Sequence, residues 1–294
     1  MRLSASQLVC LGHGNRQSRP WIVSDELRSL VEPLLPKPGP KKAEGRPRVP
    51  DRQALCGIPL VLHTGIQWEY LPQELGFGSG MTCWRRLAAW NEAGVWDQLH
   101  QLLLNELRSK NQLDRDRAVI DSSHVRAARR GPRSGPSPVD RARPGSKHHL
   151  IVNGQGIPLA VSLTGGNRND VTQLEPLLDK IPAVADQVGR PRRRPDALLA
   201  DRGYDHDKYR HLLWQRGIRP VIASRGEPHG TGLGVFRYVV ERTIAWRHGF
   251  RRLRIRWERR CDIHQAFLGL AVCLITHRHR IGDRLPRTST YATW

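Results

Sequence analysis

Two aspartates stand at the ends of short apolar runs: Asp121 after Ala118, Val119 and Ile120, and Asp201 after Ala197, Leu198, Leu199 and Ala200. Each run has the length and composition of a buried β-strand, and in open α/β sheets the strand ends are where sites form. One such junction means little, because aspartate is also an ordinary cap or turn residue. Two of them suit phosphoryl transfer, which needs neighbouring carboxylates to hold Mg2+ against a phosphate. A helical reading from Val235, at ~100° per residue, adds a third. Phe236, Val240 and Ile244 make an apolar face, and Arg237, Glu241 and His248 fall within about 40° of one another beside it. Arg237 precedes Glu241 by one turn, so the two also fit a surface ion pair worth roughly 0.2–0.5 kcal/mol. The setting argues for more: residues 237–260 hold nine arginines and two acids, a stretch that repels itself unless phosphates lie nearby.

The same surplus runs through the whole chain. Its 294 residues carry 48 Lys and Arg against 27 Asp and Glu, a net charge of +21. Such an excess points to a polyanion, and nucleic acid is the one expected, since guanidinium binds phosphate in a bidentate fork and releases condensed counterions. The five cysteines are widely spaced with no CxxC pair, which excludes a disulfide framework or a zinc knuckle. No apolar stretch approaches the ~20 residues of a membrane helix. The protein is therefore expected to be soluble and cytoplasmic, associated with the nucleoid, with no membrane partner.

The elements that must position these residues fall into two parts. Residues 1–20 lack periodicity and are expected to be a disordered leader. Ser24 caps a helix carrying Leu27, Leu30, Val31 and Leu34, and residues 36–50 form a basic linker. A second helix runs from Asp51 to about His63, with a kink or break at Pro59. After a glycine turn at 76–80, Thr82 opens a helix bearing Trp84, Arg85, Arg86, Leu87 and Trp90. Helices joined this way fit a helix-turn-helix reader, and fit a plain bundle with both tryptophans in its core equally well. From Arg117 the texture becomes β-like. Strands at 118–121, 149–152 and 157–163 are expected, the last two as a hairpin around residues 153–156. Residues 126–147, with seven basic residues against one acid, form a mobile DNA-facing loop. Asp170 caps a helix through Leu174, Leu177 and Leu178. A second basic linker spans 190–195. A strand at 197–200, a helix at 209–216, a strand at 219–222 and a glycine-rich loop at 226–234 follow. The Arg-rich helix around Glu241 comes next, and Asp262 caps a closing helix. The sum is a mixed α/β sheet with flanking helices.

Five segments identify a family. Ile120 to Val125 (IDSSHV), Gly145 to His149 (GSKHH), Gly166 to Asp170 (GNRND), Ala200 to Asp205 (ADRGYD) and Val240 to Trp246 (VERTIAW) closely resemble transposases of the insertion sequence 5 family. The resemblance extends over about residues 21–280 and includes Trp68 to Pro72 and Cys83 to Arg86. It implies a ribonuclease-H-like catalytic core of the DDE type with Asp121, Asp201 and Glu241 as its triad, preceded by a small all-helical domain that binds element ends. Around the glutamate, similar transposases carry a tyrosine, an arginine, the glutamate and a lysine. The matching residues here are Gly234, Arg237, Glu241 and His248, so the arginine and glutamate are kept and the other two are not.

The expected domains are a leader at 1–20, a helical DNA-binding domain at 21–112, a catalytic domain at 113–282 and a disordered tail at 283–294. The expected reaction is metal-dependent phosphodiester hydrolysis and strand transfer at insertion-sequence ends. Asp121, Asp201 and Glu241 hold two Mg2+ ions, for which Mn2+ can substitute. Double-stranded DNA, as terminal inverted repeats and as target, is contacted through Arg237, Lys147, Arg202, His248, Arg251 and Arg252, with Arg85 and Arg86 on the reading helix. Pairing two ends implies a homodimer. A transposase-derived protein that binds ends without cutting is the competing reading. An RNA-directed nuclease on the same fold accounts for the metals but not for the N-terminal reader. His148 and His149 are adjacent on a strand, so they face opposite ways and do not chelate one ion. His277 and His279 are expected in a basic tail, and Ser122 and Ser123 in a turn.

Overall fold

The structure is a computed structural model that describes residues 19–37, 39, 47–184, 191–224, 226 and 233–282, of which 233–237 are described by their backbone alone. The expected leader up to residue 18, the tail at 283–294, residues 38 and 40–46 of the first linker, residue 190 of the second and residues 227–232 of the glycine-rich loop lie outside these residues. Ser24 caps α1 (Asp25–Val31), accepting from the Leu27 amide at 3.2 Å. α2 (Asp51–Thr64) runs on through Pro59, where a kink or break was expected. The run Ala54–Leu62 is buried throughout, and its packing outweighs the one backbone bond that proline removes. Gly65, at φ 75°, ends the helix in the left-handed conformation.

Ser79, rather than Thr82, marks the start of α3 (Gly80–Glu92), its hydroxyl accepting from the Thr82 amide at 3.2 Å. Gly80 is required here by close approach: a Cβ would lie 1.7 Å from the Trp68 carbonyl oxygen. α4 (Val95–Ser109) completes the N-terminal helical layer.

The sheet is built on β1 (Arg117–Ala127), β3 (Pro144–Asn153), β4 (Pro158–Gly165), β5 (Ala197–Ala200) and β6 (Arg219–Ile222). Their order is β4, β3, β1, β5, β6, the first three antiparallel and the last three parallel. This is the strand arrangement of the ribonuclease-H-like fold, with α5 (Leu174–Lys180) and α6 (Asp207–Gln215) in the crossovers. The segment expected as a mobile loop is largely ordered. β1 extends to Ala127, placing Ser122 and Ser123 in a strand and not a turn, and β2 (Gly135–Pro136) pairs with the start of β3. Asp170 is not the cap expected of it: Asn169 accepts from the Val171 amide, and Asp170 turns its carboxylate elsewhere.

α7 (Leu233–His248) and α8 (Cys261–Arg280) close the fold, joined by a 3₁₀ turn at Arg251–Leu253 and the short β7 (Ile255–Arg256), which runs parallel to the end of β1. Asp262 lies inside the first turn of α8 and binds Arg260 at 2.6 Å, so Arg260 and not Asp262 holds the cap position. His277 and His279 sit in the last turns of α8, His277 buried, instead of in a tail. Among the described residues no helix is long and apolar enough to cross a membrane.

Two cores result. One gathers Val119, Leu150 and Leu199 from one face of the sheet with the N-terminal helices, Val240 of α7 and much of α8. The other gathers Ile120, Ile151, Leu198 and Ala200 from the opposite face with α5 and Leu213 of α6. α8 packs on α3, α4 and β4, so the closing helix shares a core with the N-terminal layer.

Buried charge crosses the first core. Arg252 donates to Glu258 at 2.7 Å and to the Ile66 carbonyl at 2.9 Å. Glu258 also meets His264 Nδ1 at 3.0 Å, and His264 Nε2 lies 2.8 Å from His148 Nε2, the rings stacked at 5.0 Å. The end of α2, the 251–258 segment, α8 and β3 are thereby tied together. His264 and Arg252 draw the Glu258 carboxyl below its usual range, against burial, which pushes it up.

Two predictions follow from this packing. Glu258→Ala leaves the buried Arg252 guanidinium unpaired and should cost about 3 kcal/mol or more, read as a lower urea midpoint; Arg260→Ala, on the exposed surface, should leave the midpoint unchanged. Burial, the largest cause at each, lowers His63, His100 and His279 to about 4. The unfolded chain takes up these protons near the ordinary value of ~6.5, so stability should be full above neutrality and fall as pH drops from about 6.5 towards 4. A urea midpoint constant from pH 8 to pH 5 would contradict this.

Candidate active site

β1 and β5 run parallel with Val119 opposite Leu199. Continuing that register by two residues, one past the end of β5, brings Asp121 of β1 level with Asp201. Both carboxylates are oriented locally. Asp121 accepts from the Ser122 amide at 2.7 Å. Asp201 caps a 3₁₀ turn, Arg202–Tyr204, by accepting from the Gly203 amide at 2.9 Å. The cap and the site are therefore the same residue, with one oxygen engaged by the backbone.

Tyr204, buried beneath this turn, reports the charge around it. Burial raises its hydroxyl well above the ordinary value, and the carboxylates of Asp170, Asp121 and Asp201 raise it further. Its oxygen has no hydrogen-bond partner among the described residues. Asp170 is the acid that sequence reasoning placed as a cap. It is held by Lys147 Nζ at 3.0 Å and approached by His149 Nδ1 at 3.6 Å. Burial lowers His149 to about 4, with Asp170 opposing the shift, so that approach is not an ion pair at neutral pH. The signal that could have found Asp170 was the GNRND segment itself, taken as a resemblance and not as chemistry.

Strand alternation puts Asp121 on the face shared with Val119 and Leu150. α7 packs on that face against β1, β3 and β5. Val240, Thr243 and Arg247 of α7 are buried, while Glu241 stands on its exposed side. Arg247, fully buried, donates to the Ser123 hydroxyl, two residues beyond Asp121, and lies 3.0 Å from His248 Nε2. Burial lowers the Arg247 guanidinium to about 9 and His248 to about 4, the latter helped by Arg247 and Arg254. Among the described residues no three of His, Cys, Asp and Glu converge into a metal-holding group. The two aspartates share one locality, while Glu241 lies on the exposed side of the helix that packs over Asp121's face and does not join them in such a cluster. The Arg237 side chain lies outside the described residues.

The expected phosphate contacts divide sharply. Arg85 on α3 and Arg251 are exposed, and Arg202 is half-buried beside Asp201. Arg86 is buried, pairing with Asp51 and donating to the Val49 carbonyl at 3.1 Å. Lys147 and Arg252 are buried on Asp170 and Glu258. Arg256 serves structure too, donating to Ser146 at 2.9 Å and to the Pro132 carbonyl at 2.7 Å. His148 and His149 face opposite ways, towards His264 and Thr164 respectively.

A ribonuclease-H-like sheet in which Asp121, within β1, and Asp201, just past the end of the parallel β5, come level is the arrangement of a phosphoryl-transfer core. A family model described as "Putative transposase of IS4/5 family" matches residues 23–100, and one described as "Transposase DDE domain" matches residues 112–233. The chain is 58% identical over 161 residues to the "Putative transposase for insertion sequence element IS402" of Burkholderia cepacia, covering 55% of this chain and 74% of that one. It is 52% identical over 119 residues to the "Insertion element IS402 uncharacterized 16.2 kDa protein" of the same organism, covering 40% and 81%. The crystal structure of the Mos1 strand transfer complex aligns over 83% of this chain and 79% of that one, at a TM-score of 0.32 and 12% identity. The chain belongs to the IS4/5 family of insertion-sequence transposases, enzymes of the DDE type that depend on divalent metal ions.

Tyr204→Phe should leave the fold intact and raise stability by up to about 1 kcal/mol, since it removes a buried hydroxyl with no partner. A thermal melt that instead falls by more than that amount would assign the hydroxyl a structural bond.

Proposed function

We propose that Asp121, Asp201 and Glu241 are the metal-binding and catalytic carboxylates of this transposase, with Mg2+ as the ion and Mn2+ as a substitute. The observation that supports the reading is the β1–β5 register, whose continuation by two residues brings Asp121 level with Asp201. The donors fit: hard carboxylate oxygens suit Mg2+ and Mn2+, and the Tyr204 hydroxyl feels both charges, so the two groups share one locality. Glu241 enters as the third ligand on the helix that covers Asp121's face, beyond residue 233 where the DDE-domain match ends. Bound there, divalent ions supply activation of water or a 3′-hydroxyl and stabilisation of the leaving oxygen. The chain's own part is orientation. The Ser122 and Gly203 amides fix the two carboxylates, and Arg247 ties α7 to Ser123 so that Glu241's helix keeps its place over β1.

Arg85 and Arg251, exposed and with no acidic partner among the described residues, are proposed phosphate contacts, along with Arg202 and Arg237. Arg86, Lys147 and Arg252 support the fold in this reading. The helical layer of residues 21–112 reads element ends, residues 113–282 carry the chemistry, and two copies pair two ends as a homodimer.

Asp121→Asn, Asp201→Asn and Glu241→Gln should each abolish Mg2+-dependent cleavage of a supercoiled plasmid carrying element ends, with thermal melts like the wild type and DNA affinity kept or increased. Normal cleavage by a folded Glu241→Gln would remove the third ligand, and by either aspartate variant would remove the site. Arg85→Ala in the full chain should weaken binding and reduce the salt slope by about one unit. An unchanged slope would free Arg85 from the interface.

A further inference from the structure

A cleft of about 710 Å³ opens between the N-terminal helical layer and the segment that leads into α8. Its walls come from the turn Trp68–Tyr70, the start of α3, Arg129 beyond the end of β1, and Trp257. Three of its residues are large, apolar and exposed: Tyr70 at 67%, Met81 at 54% and Trp257 at 42%. Soluble surfaces seldom gather such side chains without a ligand. The floor is fixed. Trp68 stacks on Phe267 at 5.6 Å, Arg252 is held by Glu258 behind it, and Gly80 lets α3 meet the Trp68 carbonyl with no room for a side chain.

The rim is basic. Arg129 lines the cleft and is exposed. Arg85 follows Met81 by one helical turn and is exposed. The exposed Arg251 abuts Gly65, another lining residue, whose Cβ would lie 3.2 Å from the Cβ of Arg251. Against these three guanidinium groups stands one exposed carboxylate among the lining residues, Glu69.

We propose that this cleft binds an unpaired nucleotide of a DNA strand, its base stacking on Trp257 and Tyr70 and its phosphates meeting Arg129, Arg85 and Arg251. Aromatic faces within a basic groove are how proteins grip single strands without reading sequence. The concavity selects against duplex, whose stacked bases cannot enter, and the volume falls in the roughly 300–1,000 Å³ range of small-ligand sites. The +21 charge of the chain favours a polyanion over a protein partner. The proposal rests on the DNA-binding reading and adds to it a second, single-strand subsite apart from Asp121 and Asp201.

The test uses the full chain and two fluorescein-labelled probes, a 12-nucleotide oligothymidine and a 20-base-pair duplex of scrambled sequence, read by anisotropy. Trp257→Ala and Tyr70→Ala should each weaken oligothymidine binding at least about 5-fold, the lower end of what one stacked base contributes, without altering its salt slope. Duplex binding should change less than 2-fold. Trp257→Phe, which keeps a ring, should recover most of the loss, a result that a mere packing defect does not give. Arg129→Ala should reduce the single-strand salt slope by about 0.7, the value for one phosphate. Wild-type protein that binds neither probe would remove the DNA-binding reading itself. Wild-type binding of both, with oligothymidine affinity unmoved by Trp257→Ala and Tyr70→Ala, would overturn this proposal alone. Sedimentation that shifts to monomer in Trp257→Ala, with single-strand binding intact, would overturn it in favour of contact between copies.

Discussion

β1 is the strand on which the rest of the molecule depends, because its two edges carry different kinds of pairing. One edge runs antiparallel to β3 for nine consecutive pairs. The other runs parallel to β5 at its start and to β7 at its end. Register on such a strand has no freedom: a one-residue slip would exchange its two faces and bury Asp121 and Ser123 where Ile120 and Ser122 belong. The level position of Asp121 and Asp201 follows from the same pairing that buries Val119 and Leu199 in one core and Ile120 and Leu198 in the other. Site geometry and core packing are one constraint.

A second constraint is the treatment of arginine. A chain with this excess of positive charge must separate guanidinium groups that bind phosphate from those that bind the protein. Arg252 has a buried carboxylate and backbone carbonyls, Arg256 has a ring of carbonyls, and Arg242 lies over the Tyr238 and Trp246 rings at 5.6 and 4.8 Å while donating to the Gln155 carbonyl. These are cross-links of the fold. Arg85, Arg129 and Arg251 are left on the surface.

The apolar run before each aspartate was legible as a buried strand, although β1 runs on past Asp121 to Ala127 where only 118–121 was expected, and the hairpin at 153–156 was legible from its Asn-Gly chemistry. The division among the arginines was not. Charge density along residues 237–260 is the same whether a guanidinium faces a phosphate or a carbonyl, and Arg256 finds acceptors at Pro132, Arg133 and Ser146, more than a hundred positions away. Asp170 was misplaced for a similar reason: its neighbours Lys147 and His149 face it from another strand. Pro59 misled because local propensity was set against packing that only the assembled core supplies. His277 and His279 read as a tail because four basic residues at the end of a helix look solvated until another layer covers them.

The shared core of α8 and the N-terminal helices has a consequence for synthesis. Cys273 donates to the Trp96 carbonyl across 177 residues, and Arg252 reaches Ile66 across 186. At the ribosome's ~5–20 residues per second, α3 and α4 wait roughly 10 to 35 s for the partner that covers them. During that interval Trp90, Leu99 and Leu103 face the nascent chain's surroundings with their apolar sides uncovered. Contacts of such long sequence separation also make for slow closure. The emerging chain thus carries uncovered apolar helix faces until α8 has been made.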